Sequence, residues 1–166
     1  MSCIIVTPEA ELEEVLALHG PEALACFGSP SRPPTAPAGI ERTLLFTFHD
    51  IAEPRDGHVA PSRADMERFV SFVREWPRSA PLVLQCWLGV SRSTAAGLIS
   101  LATLGVSAEK AARRLRETAP FATPNPLMLS HADDALELSG ALVTAGRSIG
   151  RGTTTDRGRP FMLDVA

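Results

Sequence analysis

The sequence predicts an α/β fold in which a central mixed β-sheet is flanked by helices. Short apolar runs of strand length alternate along the chain with segments whose apolar residues recur at helical spacing. Residues typical of helix N-caps precede several of these segments, and 45% of the residues are hydrophobic, which suffices for a packed core. Because 166 residues fit one domain and no repeat or internal boundary is apparent, we predict a single domain over residues 1–166.

Residues 1–50 are predicted to contain three strands, one helix and one long loop. β-branched residues favour the first strand, a capping residue followed by proline favours a helix start, and clustered prolines exclude regular structure from the loop. The third strand is an almost continuous apolar run, which predicts burial on both faces, and His49 and Asp50 follow it. In order, the elements are a strand over Cys3–Val6, a helix with N-cap Thr7 and first residue Pro8 that stops at Gly20, a strand over Ala23–Phe27, a loop over Gly28–Gly39 and a strand over Thr43–Phe48.

Residues 51–166 are predicted to contain four helices and two strands. Ser62 and Asp65 form a start that resembles a capping box, and the helix after the fourth strand is apolar almost all round. In order, the elements are a polar loop over Ile51–Ala60, a helix from Ser62 that ends at Pro77, a strand over Leu82–Leu84, a helix over Thr94–Leu104 stopped by Gly105, a helix from Ser107 to Arg116, a helix from Asn125 and Pro126 to about Thr144 and an edge strand over Phe161–Leu163.

The charge and the cysteine content argue against several classes of protein. A formal net charge of −3 and a pI of about 5.8 disfavour binding to DNA, RNA or anionic lipid. No apolar run approaches the roughly 20 residues that cross a bilayer, and the N-terminal segment is acidic rather than basic, unlike a secretion signal. Three cysteines fit free thiols in a reducing compartment. We therefore predict a cytoplasmic protein with neither nucleic-acid nor membrane partners.

The segment from Cys86 to Ser93 contains the residues that phosphoryl transfer needs. It lies between a predicted strand and the predicted buried helix. The thiol of Cys86 supplies a nucleophile, the backbone N–H groups of a tight loop can surround phosphate oxygens, and the guanidinium of Arg92 can bind two oxygens at once. The positive end of the following helix favours both the thiolate and a phosphate dianion.

The spacing C-x5-R is weak evidence alone, because it arises by chance in a chain of this composition with a probability of about 0.3. A second copy runs from Cys26 to Arg32, but the two prolines that follow it exclude a helix N-terminus, so we predict no anion site there. The copy at Cys86 also has Gly89 where the loop must turn and Ser93 after the arginine. Requiring a glycine and a hydroxyl there lowers the chance to about 0.003.

The segment Cys86–Ser93 resembles the C-x2-G-x-S-R-S signature of the cysteine-dependent protein tyrosine and dual-specificity phosphatases, in particular small members of bacterial type. The order of elements from the strand before Asp50 to the helix start at Asn125 also resembles that family, so the likeness covers about residues 40–145. It implies the cysteine-phosphatase α/β fold, a cysteinyl-phosphate intermediate, no metal ion and no cofactor.

The resemblance also implies a role for each site residue. Cys86 is the nucleophile, Asp50 is the general acid and then the base, and Ser93 donates a hydrogen bond to the sulfur. Glu53 and Asp56 remain alternatives for the acid. The implied phosphate-binding residues are Trp87, Leu88, Gly89, Val90, Ser91 and Arg92.

The sequence departs from the family pattern directly before the nucleophile, where Gln85 replaces the usual histidine. A glutamine can donate hydrogen bonds that order the loop, but it carries no charge. Stabilisation of the thiolate would then fall to the helix, the backbone N–H groups, Arg92 and Ser93. The departure predicts reduced activity or a shifted pH optimum.

We therefore interpret the protein as a phosphatase for phosphotyrosine, with phosphoserine and phosphothreonine as further candidate substrates. The uncharged side chains of Trp87, Leu88 and Val90 favour a phosphorylated protein or a small phosphomonoester over a highly phosphorylated inositol headgroup. Two alternatives stay open: a weak or inactive phosphate-binding module of the same fold, and a rhodanese-like sulfurtransferase, which also uses a loop cysteine. Hydrolysis of an aryl phosphate separates the first from an enzyme, and a persulfide on Cys86 would indicate the second.

Overall fold

A five-stranded mixed sheet forms the centre of the protein. The computed structural model describes residues 2–166. In chain order the elements are β1 (Cys3–Pro8), α1 (Leu12–His19), β2 (Ala23–Gly28), β3 (Arg42–Thr47), α2 (Arg63–Arg74), β4 (Leu82–Cys86), α3 (Arg92–Thr103), α4 (Ala108–Thr118), α5 (Pro126–Leu136), α6 (Ala141–Ile149) and β5 (Phe161–Asp164). The strand order is β3-β2-β4-β1-β5; the first four strands run parallel, and β5 pairs antiparallel with β1. The predicted fold class, including the edge strand near the C-terminus, is confirmed.

Side chains that alternate along the strands divide the core into two layers. On β1, Ile4 faces the larger layer, which contains α2 to α6, and Ile5 faces the smaller layer under α1. In the larger layer the Phe27 ring stacks on Phe46 of the neighbouring strand at 5.1 Å and meets Phe69 of α2 edge-on at 5.4 Å. Each aromatic pair contributes about 0.5–1.5 kcal/mol beyond its buried area. These contacts fix the ends of β2 and β3.

The carboxyl ends of the four parallel strands meet at one edge of the sheet, where open α/β sheets place their binding sites. The last residues of these strands are Pro8, Gly28, Thr47 and Cys86. Backbone hydrogen bonds join the segments that follow: the N–H of Phe48 donates to the carbonyl of Gly28 at 3.0 Å, and the N–H of Glu9 donates to that of Trp87 at 3.1 Å. The candidate site residues after β3 and β4 therefore lie at the same edge.

Two predictions about the first half of the chain are wrong in detail. The sequence predicts a helix from Pro8, but Pro8 is the last residue of β1 and pairs in register with Cys86; a 3-10 turn follows, and α1 begins at Leu12. Pairing with β4 overrides the local signal of a threonine followed by proline. The strand before Asp50 is predicted to be buried on both faces, whereas β3 is an edge strand with mostly half-buried residues.

The helices after β4 also differ from the prediction. Helix α3 begins at Arg92 rather than Thr94, so that Arg92 lies in its first turn. The predicted last helix is two helices, because the chain turns through left-handed conformations at Glu137 (φ 55°) and Gly140 (φ 87°). Within residues 2–166, no helix has both the length and the apolar composition needed to cross a membrane.

A buried carboxylate holds the break between α5 and α6. Asp133 is 3% exposed and accepts hydrogen bonds from three backbone N–H groups at the start of α6. The donors are Gly140 (2.7 Å), Leu142 (2.7 Å) and Val143 (3.2 Å). These N–H groups have no intrahelical partners, so the carboxylate caps α6 from a side chain on α5.

We expect Asp133→Asn to lower the free energy of unfolding by about 1–3 kcal/mol. Both carboxylate oxygens of Asp133 accept hydrogen bonds, whereas an amide has only one acceptor oxygen. Equilibrium urea denaturation measures the change. Asp134→Asn is the matched control, because Asp134 is the exposed neighbour and its replacement should change the stability by less than about 0.5 kcal/mol. Equal effects of the two substitutions would show that the cap does not stabilise the fold.

Candidate active site

The loop over residues 86–92, called the Cys86 loop below, joins β4 to α3. Several of its carbonyl groups accept hydrogen bonds from other segments of the chain. Four backbone N–H groups from distant segments donate to them. The pairs are Glu9 to Trp87 (3.1 Å), Gly158 to Leu88 (2.8 Å), Thr123 to Val90 (2.9 Å) and Asn125 to Ser91 (3.2 Å). The hydroxyl of Thr94 donates to the carbonyls of Val90 (2.6 Å) and Ser91 (3.0 Å) as well. The orientation of the loop is therefore fixed from several sides.

These bonds turn the N–H groups of the loop inward. The C=O and the N–H of a trans peptide point in opposite directions, and no cis peptide occurs within the described residues. The N–H groups that follow the four bonded carbonyls belong to Leu88, Gly89, Ser91 and Arg92. Peptide geometry directs these N–H groups to the side of the loop opposite the bonded carbonyls, and a group of backbone donors at a helix N-terminus can bind a tetrahedral oxyanion.

Glycines allow this loop to pack closely against its surroundings. Gly89 has a φ of +68°, and a Cβ there would lie 2.8 Å from the nitrogen of Pro8, so both its conformation and its neighbour require glycine. The C-terminal segment is packed against the same residue: a Cβ on Gly158 would lie 2.7 Å from the carbonyl oxygen of Gly89. Residues from both ends of the chain thus support the tightest part of the loop.

Cys86 and Ser93 are in contact at the base of the loop. The Sγ of Cys86 lies 3.0 Å from the Oγ of Ser93, and both residues are buried. A thiolate has no proton to donate, so when Cys86 is ionised the hydroxyl of Ser93 is the donor of this hydrogen bond. The pair is held by β4 on one side and by the first turn of α3 on the other.

Arg92 carries a buried charge without a carboxylate partner among residues 2–166. The residue is 5% exposed, and its Nη1 donates to the carbonyl of Phe48 and to the hydroxyl of Ser29, both at 3.0 Å. Its Nε is buried and has no hydrogen-bond partner among the described residues. Burying a cation without an anion is unfavourable, so the environment of Arg92 favours an anionic ligand beside it.

Asp50 is tied to the Cys86 loop. Its Oδ1 accepts hydrogen bonds from the Oγ of Ser91 (2.7 Å) and the Nδ2 of Asn125 (2.8 Å). The same Nδ2 donates to the carbonyl of Ile51 at 3.0 Å, while the Oδ1 of Asn125 caps α5 by accepting from the N–H of Met128 at 2.9 Å. Within the described residues the Oδ2 of Asp50 forms no hydrogen bond, since both contacts of this carboxylate use Oδ1.

The two other carboxylates considered for the acid role are placed differently. Glu53 and Asp56 are exposed, and neither carboxylate forms a hydrogen bond or ion pair within residues 2–166. The segment over residues 49–60, called the Asp50 loop, is closed by two hydrogen bonds between His49 and Val59. The N–H of His49 donates to the carbonyl of Val59 (2.7 Å), and the N–H of Val59 donates to the Nδ1 of His49 (2.9 Å). The rings of His49 and His58 lie 4.9 Å apart.

Gln85 does not order the Cys86 loop. It is buried in β4, pairs in register with Cys26 and lines a small cavity beside Arg92, Arg32 and Glu9. Its side chain forms no hydrogen bond within the part of the chain that the structure describes. Because side chains alternate along a strand, Gln85 and Cys86 point to opposite faces of the sheet.

The second C-x5-R segment does not form a loop of this kind. Cys26 lies within β2 and packs in the smaller core layer, and Arg32 forms an exposed ion pair with Glu9 at 3.0 Å. Burial, with a smaller contribution from the charge of Glu9, raises the pKa of the Cys26 thiol to about 12. This thiol is protonated at neutral pH, as expected for a structural cysteine. The segment nevertheless contributes Ser29, which contacts Arg92.

Two basic residues of α4, Arg114 and Arg116, bond within the fold. Arg114 donates to the carbonyls of Asp164 and Ala166, and Arg116 donates to four carbonyls at the ends of α4 and α6. Both therefore hold the C-terminal part of the chain. Within residues 2–166, no group of three or more His, Cys, Asp or Glu side chains is arranged to hold a metal ion.

The contacts of Arg92 and Asp50 include residues that the sequence does not identify. The sequence marks Asn125 only as a helix cap, yet its amide binds Asp50. Ser29 and the carbonyl of Phe48 anchor Arg92, and no local pattern distinguishes them. The N–H of Gly158 supports the loop from a segment for which we predict no role.

Comparisons with known proteins find similar solved structures. No protein-family model and no curated protein matches the sequence. Human DUSP28 is similar with a TM-score of 0.63 and 23% identity, over 83% of this chain and 94% of that chain. Tk-PTP in its active form is similar with a TM-score of 0.59 and 20% identity, over 82% of this chain and 91% of that chain. A mouse dual specificity phosphatase complexed with zinc tungstate is similar with a TM-score of 0.57 and 21% identity, over 77% of each chain.

The likeness extends over most of this chain, well beyond the eight residues that carry the signature. At identities of 20–23% this likeness shows a shared fold. The expected bacterial type stays a prediction. The chain has the fold of the dual-specificity phosphatases, as the resemblance of its Cys86–Ser93 segment indicates.

Proposed function

We propose that the protein is a cysteine-dependent phosphatase that hydrolyses phosphate monoesters on protein side chains, with phosphotyrosine as the preferred substrate. One observation carries this proposal: the buried Arg92 has no carboxylate partner within the described residues, and it follows a loop whose carbonyls are hydrogen-bonded to other segments and whose thiol contacts Ser93. A phosphate dianion supplies the missing negative charge and accepts from the N–H groups of that loop.

The surroundings of the loop favour an aromatic substrate. Trp87 and Leu88 are 49% and 39% exposed, so apolar surface lies beside the phosphate position. An aromatic ring gains favourable contacts with such surface, and it holds its phosphate further from the backbone than serine does. We therefore place phosphotyrosine ahead of phosphoserine and phosphothreonine.

The first step forms a bond between sulfur and phosphorus. The thiolate of Cys86 attacks the phosphorus atom, the bond from phosphorus to the leaving oxygen breaks, and the electron pair of that bond stays on the oxygen. Asp50 donates its proton to this oxygen, which leaves as the tyrosine hydroxyl. The N–H groups of the Cys86 loop and the guanidinium of Arg92 hold the three remaining oxygens as charge develops on them.

The second step returns the protein to its starting state. Asp50, now ionised, accepts a proton from a water molecule whose oxygen attacks the phosphorus atom. The bond between phosphorus and sulfur breaks, phosphate leaves, and the sulfur of Cys86 becomes a thiolate again. The hydroxyl of Ser93, 3.0 Å from the sulfur, donates to it and makes it a better leaving group.

Hydrolysis of two aryl phosphates by Asp50→Asn tests the proposal. We expect wild-type protein to hydrolyse both p-nitrophenyl phosphate and phenyl phosphate, with inhibition by vanadate or tungstate. The variant should lose about 10²–10⁴ in kcat/KM for phenyl phosphate, because kcat/KM reports the first step and the leaving group of this substrate needs a proton. It should lose much less for p-nitrophenyl phosphate, because nitrophenolate leaves without one.

Glu53→Gln and Asp56→Asn are the matched controls, since both remove an exposed carboxylate from the Asp50 loop. A larger loss in either of them than in Asp50→Asn would reassign the acid. If the wild-type protein hydrolyses neither substrate and still binds phosphate, it is a phosphate-binding module rather than an enzyme. A persulfide formed on Cys86 with a sulfur donor would indicate a sulfurtransferase.

A further inference from the structure

A groove of about 700 Å³ opens beside the candidate active site. Val90 and Ser91 of the Cys86 loop line part of it, and Ala52 of the Asp50 loop lines another part. Ser91 is the residue whose hydroxyl donates to Asp50. The groove is therefore continuous with the two loops that surround the proposed phosphate position.

The chemistry of the groove combines apolar surface with positive charge. Leu127, Leu129 and Val143 belong to its apolar lining, and Arg147 and Arg151 are its charged residues. No aspartate or glutamate lines it. Within residues 2–166, neither arginine side chain forms a hydrogen bond or an ion pair, and both are exposed. The groove thus offers two cations that the protein itself does not neutralise.

We propose that this groove binds the segment of the substrate protein next to the phosphorylated residue, and that it favours a segment with acidic and apolar side chains. The inference rests on the proposed function. Once the phosphate occupies the Cys86 loop, the flanking residues are held close to the groove at a high effective concentration. Weak attraction between exposed charges is then sufficient to discriminate between sequences.

The same features disfavour a phosphoinositide headgroup as the occupant. Such a ligand presents several phosphates close together and requires a dense group of cations around the phosphate loop. Trp87, Leu88 and Val90 carry no charge, and the two arginines accompany an apolar surface that suits peptide side chains. A preference for phosphoinositides over peptides is one outcome that would overturn the proposal.

Three phosphotyrosine peptides of equal length test the inference. One has glutamates before the phosphotyrosine, one has them after it, and in the third glutamine replaces them all. We expect kcat/KM for one of the two acidic peptides to exceed that for the neutral peptide by about threefold to tenfold at low salt. The preference should shrink as the ionic strength rises.

The double variant Arg147→Gln/Arg151→Gln should lose this preference and leave the hydrolysis of p-nitrophenyl phosphate unchanged, because that substrate has no flanking residues. Arg74→Gln/Arg113→Gln is the matched control: it removes two exposed positive charges, on α2 and α4, and should keep the preference. A neutral peptide hydrolysed as well as both acidic ones, or an equal loss in the two double variants, would refute the groove proposal. Failure of the wild-type protein to hydrolyse p-nitrophenyl phosphate would instead refute the proposed function.

Discussion

Cys86→Ser is expected to lower kcat for p-nitrophenyl phosphate by more than about a thousandfold and to leave phosphate binding nearly intact. A serine hydroxyl is scarcely ionised at neutral pH, so it does not attack phosphorus. The inward N–H groups and Arg92 do not depend on the sulfur, because their orientation is set by carbonyl contacts on the outside of the loop. Steady-state hydrolysis and calorimetric titration with inorganic phosphate measure the two effects separately.

Cys26→Ala is the matched control for this substitution. Cys26 is the cysteine of the other C-x5-R segment and is buried in the smaller core layer. Its replacement should keep kcat within about twofold while the folded state loses some stability, as expected for a lost core atom. Turnover that survives in Cys86→Ser, or disappears in a folded Cys26→Ala, would show that the nucleophile is misassigned.

Arg92→Lys is expected to reduce kcat/KM by about 10²–10³ and also to weaken phosphate binding. The guanidinium donates to the carbonyl of Phe48 and the hydroxyl of Ser29 through Nη1, which leaves its Nε and Nη2 for two oxygens of a ligand. A lysine has one nitrogen and does not keep those anchors while it binds two phosphate oxygens. The variant therefore differs from Cys86→Ser, which retains binding.

Arg74→Lys is the control for Arg92→Lys, because Arg74 is exposed on α2 and its side chain forms no hydrogen bond or ion pair within the described residues. We expect it to match the wild-type protein in kcat/KM and in phosphate affinity. If Arg92→Lys binds phosphate as tightly as the wild-type protein, the buried guanidinium is not part of the binding site.

The centre of the site could be predicted because its residues are contiguous. Eight consecutive residues contain Cys86, Gly89, Arg92 and Ser93, and a strand before them with a helix after them determines how they are arranged. The association of Asp50 with this loop follows from the parallel strands, which end at one edge of the sheet. The sequence therefore identifies the residues whose roles we propose.

The partners of these residues could not be predicted, because they depend on strand order and register. Ser29 reaches Arg92 only because β2 lies next to β4, and the sequence does not specify this neighbour relation. The break between α5 and α6 depends on Asp133, whose carboxylate bonds across the turn to groups seven to ten residues away. A helical pattern that continues past Leu136 contains no signal of that contact.

The carbonyl contacts around the Cys86 loop have a consequence for truncated forms of the chain. Their donors include Glu9, near the start of the chain, and Gly158, near its end. Because the N–H of Gly158 is one of the four donors, the loop has its full set of outer hydrogen bonds only when residue 158 is in place. A polypeptide truncated before that residue would lack one of the contacts that hold the loop of the proposed nucleophile.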